Sequence, residues 1–102
     1  MTIAEFSVTP IGEGVSVGAY VARCVDLVDR SGIAYRLNPM GTVLEGPLDA
    51  VMGLILECHK AVAADCERVS TIIKIDDRRG PAGQMEAKIQ AVERRLGRKL
   101  RT

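Results

Sequence analysis

The chain has no tryptophan, one phenylalanine and two tyrosines in 102 residues. Reading RNA on an open sheet needs aromatic side chains on central strands. Only Phe6, Tyr20 and Tyr35 are available, and the last predicted strand has none, so that class of binding is excluded. There is a single histidine, His59, and therefore no histidine pair to hold a metal ion. The three cysteines, Cys24, Cys58 and Cys66, are odd in number and contain no CxxC. They suit neither a disulfide framework nor a thiolate metal site, and read as buried free thiols in a reducing cytoplasm. No apolar run is long enough to span a bilayer, and Met1 to Phe6 carries an acid rather than a basic lead into an apolar stretch. A soluble cytoplasmic protein is expected.

Charge of one sign is lacking too. Fourteen basic and thirteen acidic residues leave a net charge of +1, which supplies no whole-molecule field to recruit nucleic acid or an anionic membrane. The basic residues Arg94, Arg95, Arg98, Lys99 and Arg101 do cluster late, where they suit a solvated helix end that complements the macrodipole. A chain of this length forms one domain, residues 1–102, with a modest core whose stability association would raise.

Hydrophobic periodicity gives the order of elements. Ile3 to Thr9 alternates, with Ala4, Phe6 and Val8 on one face and Glu5, Ser7 and Thr9 on the other, as in a half-buried strand ended by Pro10. Ser16 is placed as an N-cap for a helix carrying Val17, Val21, Cys24, Val25 and Val28, stopped by Gly32. Ile33 to Leu37 and Thr42 to Gly46 read as two strands joined by a turn. Pro47, at a first helical position, opens a second helix with Leu48, Val51, Met52, Ile55, His59 and Val62 on one stripe. Arg68 to Asp76 alternates as a strand, Asp77 to Gly83 is a loop, and Met85, Ile89, Val92 and Leu96 mark a last amphipathic helix. The resulting α+β class is a ferredoxin-like βαββαβ antiparallel sheet with an appended C-terminal helix. One sheet face is left uncovered. The alternation assigns it Glu5, Ser7, Thr9, Arg36, Asn38, Thr42, Leu44, Ser70, Ile72 and Lys74, and puts Val43 and Glu45 beneath the helices. Leu44 and Ile72 make that face apolar enough to predict sheet-mediated homo-oligomers.

The turn Asn38-Pro39-Met40-Gly41 has the type I pattern, with Pro presetting φ and Gly relaxing the exit. Asn38, Thr42 and Glu45 set an amide, a hydroxyl and an acid into apolar surroundings, where desolvation calls for a ligand or partner. Glu45 has two readings, a charge for the N-terminus of the following helix or a ligand contact; Asn38 and Thr42 also suit plain turn and edge positions. The segment Pro10 to Ser16 begins a GxG, but Val17 stands where a third glycine belongs, so the dinucleotide fingerprint fails. It is a loop before a helix, or a loop that closes over a ligand. His59 on its apolar stripe reads as a hydrogen-bonded core or interface residue. Phosphate chemistry on this topology needs an arginine after the first strand, and Ile11 to Val15 contains none.

Val8-Thr9-Pro10-Ile11-Gly12 leading to Ser16, Ser31-Gly32-Ile33-Ala34-Tyr35, Asn38-Pro39-Met40-Gly41-Thr42 with Glu45-Gly46, and Val69 to Asp76 followed by Arg78 resemble the small thiamine-binding proteins of the YkoF-like group. The resemblance runs over nearly the whole chain, departing at Leu44 and Pro47. It implies non-enzymatic binding of thiamine or its hydroxymethylpyrimidine portion, with no cofactor, no metal and no catalytic residue. It further implies homo-oligomers, tetramers or dimers. Glu45, Asn38 and Thr42 would supply polar contacts to an aminopyrimidine, Met40, Tyr35 and Val43 apolar walls, and Ser16 a contact from the loop. A structural or regulatory homo-oligomer without a ligand is the alternative, and an enzyme of the same topology a more distant one.

Overall fold

The structure, a computed structural model, describes residues 1–12 and 17–102. Its elements are β1 (Thr2–Pro10), α1 (Gly18–Ser31), β2 (Ala34–Asn38), β3 (Gly41–Gly46), α2 (Leu48–Ala63), β4 (Val69–Asp77) and α3 (Gln84–Leu96). The four strands form one antiparallel sheet in the order β2-β3-β1-β4, which is the expected ferredoxin-like topology with α3 appended. The expected cap Ser16 lies outside the described residues. Val17 precedes α1 and gives it no side-chain cap. Pro47 stands just before Leu48 rather than inside α2, as a proline with extended ψ should.

Side chains that alternate inward on the strands meet the inner stripes of α1 and α2. Ala4, Phe6 and Leu44 from the sheet pack with Cys24 and Val28 of α1 and with Val51, Leu54, Ile55, Cys58 and Val62 of α2. Gly32 ends α1 at φ 77°, a left-handed conformation that glycine adopts without a Cβ penalty. The Ser31 hydroxyl donates to Val28 O at 2.6 Å and accepts from Ile33 N at 3.1 Å, so the chain leaves the helix with its polar groups paired.

One strand is turned over relative to the expectation. Asn38 pairs with Gly41 across the two-residue turn, which puts Thr42 opposite Leu37 and Phe6, and Leu44 opposite Tyr35 and Ala4. Thr42 and Leu44 therefore lie under the helices, with Leu44 completely buried, while Val43 and Glu45 belong to the second face beside Ile3, Glu5 and Arg36. The physical reason is that β3 carries one polar and one apolar residue on each side, so hydrophobic alternation cannot choose its register and the turn does. The other residues expected on the second face are there.

That face is also partly covered. The Glu45 carboxylate accepts the Gln84 backbone N–H at 2.7 Å, and Arg36 pairs with Glu86, so the first turns of α3 sit over β2 and β3. Even so, α3 buries no residue along its length, and Val92 and Leu96 are exposed. The radius of gyration of 15.1 Å exceeds the roughly 13 Å of a compact domain of this length, as a projecting helix requires.

Gly41 is fixed by close approach rather than by φ. A Cβ there would come within 3.0 Å of the Phe6 carbonyl oxygen on β1. Gly41→Ala is expected to cost about 1–3 kcal/mol through overpacking, measured as a lower midpoint in urea without loss of the native circular dichroism spectrum. An unchanged midpoint would mean that β1 yields to the methyl group.

Candidate functional site

The hairpin and the first helix enclose a cleft of about 320 Å³. Phe6 to Thr9 of β1 form one wall and Leu37 to Thr42 another, and Val17 with the α1 stripe of Val21, Cys24 and Val25 closes it. This is within the size range of small-molecule sites, with the usual mixture of many apolar groups and few polar ones. Thr42, 8% exposed, lines the cleft, and its hydroxyl, which is not fully enclosed, has no hydrogen-bond partner among the described residues. Asn38, which alternation puts on the second face, is half-buried at the end of β2 and lines both this cleft and the one between the sheet and α3. Met40 stands at the rim, 89% exposed.

Of the residues proposed from sequence, the fold thus brings Asn38, Met40 and Thr42 together. It puts Tyr35 and Glu45 elsewhere, along a shallower concavity with Ile33, Gly83 and Met85. The Tyr35 hydroxyl donates to Asp29 Oδ1 at 2.9 Å, and that bond, with the charge behind it, pushes the phenol above its ordinary pKa. Glu45 is 6% exposed and is held by the α3 N-terminus. Its role as a helix-end charge is realised at α3, 39 residues away in sequence, rather than at the adjacent α2. Ser16 lies outside the described residues.

A second cleft, of about 560 Å³, separates the sheet from α3. Glu5, Lys74, Asp76 and Lys88 open on it with Ile3 and Val43 as floor and Met85 and Ile89 as roof. His59 is bonded through Nδ1 to Thr71 Oγ1 at 2.6 Å, the hydrogen-bonded state its place on α2 suggested. Cys58, its sequence neighbour, turns toward α1 instead. No group of three or more His, Cys, Asp or Glu able to hold a metal occurs among the described residues. None of their helices is long and apolar enough to cross a membrane. Sequence reasoning missed Cys24 as a cleft residue. It lies on the same stripe as Val21 and Val28, and nothing in that spacing marks where the stripe runs out from under the sheet.

The chain falls in the class of ferredoxin-like α+β domains, with a small, mostly apolar cleft at its first hairpin. Within that class the chain is a member of the thiamine-binding protein family, whose sequence profile matches residues 4–93. It is 37% identical over 90 residues to the UPF0045 protein MJ1052 of Methanocaldococcus jannaschii, covering 88% of this chain and 90% of that one. It is 38% identical over 102 residues to the UPF0045 protein YqgV of Bacillus subtilis, covering 94% and 98%. The crystal structure of MJ1052 superposes with a TM-score of 0.82 at 36% identity, over 89% of this chain and 94% of that one. A Thermotoga maritima protein, assigned provisionally to thiamine biosynthesis or salvage, shares the fold with a TM-score of 0.77 at 20% identity, over 89% and 97%.

The contact between Glu45 and Gln84 gives a direct expectation. Glu45→Ala removes a charge-assisted hydrogen bond, of the kind worth roughly 1.5–3 kcal/mol, from a nearly buried position. Amide exchange across Gln84 to Ile89 should accelerate while β1 and β4 stay protected. Unaltered exchange in α3 would show that Arg36 and Glu86 hold the helix by themselves.

Proposed function

We propose that this protein binds thiamine or its hydroxymethylpyrimidine portion reversibly in the hairpin cleft, carries out no reaction on it, and serves as a carrier, buffer or sensor. The observation that supports the reading most is the Thr42 hydroxyl, unpartnered among the described residues in the lining of an apolar cleft in a chain of the thiamine-binding family. An aminopyrimidine has a ring nitrogen that accepts and an exocyclic amine that donates. Thr42 can donate to the first, and the Asn38 amide oxygen can accept from the second. The valines of α1 cover one ring face, and Met40 can fold over the mouth because its thioether side chain is flexible and polarisable. Glu45, engaged with α3, supports the domain from the other face of the sheet.

Calorimetric titration with thiamine, thiamine phosphate and hydroxymethylpyrimidine tests this reading. Saturable binding is expected, and Thr42→Val should weaken it about five- to tenfold, the equivalent of one hydrogen bond of 1–1.5 kcal/mol. Glu45→Gln should leave the affinity unchanged. Heat from none of the three ligands would favour a structural oligomer without a small-molecule ligand.

The second part of the proposal is a homo-oligomer built on the β4 side of the sheet. As an edge strand β4 leaves one row of backbone groups unpaired, and it exposes apolar side chains on both faces: Ile72 on one, Ile73 and Ile75 on the other. Ile72 is 68% exposed. Sedimentation at micromolar concentration should give a dimer or tetramer, and Ile72→Asp should dissociate it. A wild-type monomer would remove this part.

A further inference from the structure

Two of the three cysteines, Cys24 and Cys58, are in contact across α1 and α2 beside the hairpin cleft. Cys24 lines that cleft from α1 and keeps 8% of its surface open, whereas Cys58 of α2 is wholly buried behind it. Each thiol points at the other residue's backbone. Cys24 Sγ donates to Cys58 O at 3.8 Å, and Cys58 Sγ donates to Cys24 O at 3.6 Å. The two contacts set Cys24 and Cys58 directly against one another across the packed helices. Cys66, beyond the end of α2, takes no part in it.

The two thiols are not equivalent. Interaction with the Cys58 side chain, rather than the bond to its carbonyl, draws the Cys24 thiol below its ordinary pKa, against the effect of burial and with help from the Arg23 charge. The reciprocal interaction with the Cys24 side chain, burial, and the charges of Cys24 and Glu57 push Cys58 up. The thiol nearer the cleft is thus the one that ionises more readily, and the buried one keeps its proton. Arg23 is held in place by Asp65 at 2.6 Å and by the Ala61 carbonyl at 2.9 Å.

We propose that Cys24 and Cys58 form an oxidisable pair, with Cys24 meeting a small hydroperoxide in the cleft and Cys58 resolving it into a disulfide between α1 and α2. The Cys24 thiolate attacks one oxygen of hydrogen peroxide, the O–O bond breaks, and the departing hydroxide takes a proton to become water. Cys24 is left as a sulfenic acid. Cys58 then gives up its proton and attacks the Cys24 sulfur, so that an S–S bond forms, the S–O bond breaks and a second water leaves. Over both steps the two thiols lose two protons and two electrons, and one peroxide becomes two waters. Because Cys24 is part of the cleft wall, the bridge also changes the cleft. Oxidation thereby regulates occupancy, a consequence that rests on the ligand reading above.

The test is peptide mapping of the folded wild-type protein after treatment with hydrogen peroxide, acid quenching and alkylation. A cross-linked peptide joining Cys24 to Cys58, lighter by two hydrogen masses and cleaved by dithiothreitol, is expected, with Cys66 still free to alkylate. Cys66→Ser should give the same product, and Cys58→Ser should stop at a sulfenic acid on Cys24 that dimedone traps. Oxidation of Cys66 while the pair stays reduced, or a Cys24–Cys58 bridge that forms only in denaturant, would overturn the proposal. Thiamine titration of the oxidised and reduced forms should then differ by at least about fivefold, the lower end of ordinary coupling between sites. Equal affinity in the two forms removes the regulatory consequence. Binding to neither form counts against the thiamine reading, and the mapped disulfide decides the thiol pair separately.

Discussion

The direct pairing of Asn38 with Gly41 is the contact on which the arrangement of this domain turns. A strand has a period of two, so moving the closure of the turn by one residue would exchange every side chain of β3 between the faces. With the observed closure Leu44 completes the core under α1 and α2, Thr42 lines the cleft, and Glu45 meets α3. The opposite closure would bury Glu45 beneath two apolar helices and strand Leu44 in the open, losing the core residue and the α3 anchor together. Gly41 also lets β3 come close to Phe6, which links the turn to the central strand.

The sheet thereby acquires two unlike sides. Under α1 and α2 lies an apolar core with buried thiols. On the other side is a mixed surface of Glu5, Arg36, Lys74 and Asp76, roofed in part by a helix held through an acid and an ion pair. The first side supplies most of the apolar burial that stabilises the fold. The second is built from polar contacts that contribute less and open more easily.

Most of the architecture was legible in the sequence, because β1 and β4 alternate cleanly and α1 and α2 carry continuous apolar stripes between glycine and proline stops. β3 was not, since Thr42, Val43, Leu44 and Glu45 put one polar and one apolar residue on each face. That single ambiguity moved Glu45 from the cleft side to the far side. The grouping of Asn38, Met40 and Thr42 followed from their shared turn, a local feature that survives an error of register. The bond between Glu45 and Gln84 and the Cys24–Cys58 contact join residues far apart in the chain, where periodicity has no bearing. The apolar stripe of α3 was read correctly as a stripe, but only Met85 and Ile89 at its start find the sheet.

The late clustering of basic residues has a consequence that the net charge of +1 conceals. Before Gln84 the chain carries eight basic and eleven acidic residues; from Gln84 onward it carries six and two. Three of these six basic residues lie on α3 against its two acids, and Arg98, Lys99 and Arg101 follow its end, in a molecule 48 Å long. The two parts of the chain therefore carry net charges of opposite sign, so the molecule has a dipole that its net charge hides. In solution it behaves less like a neutral sphere than like a body with parts of opposite sign. Such a body adsorbs to both cation and anion exchangers, orients head to tail at low salt, and loses that tendency once the Debye length falls well below its own length.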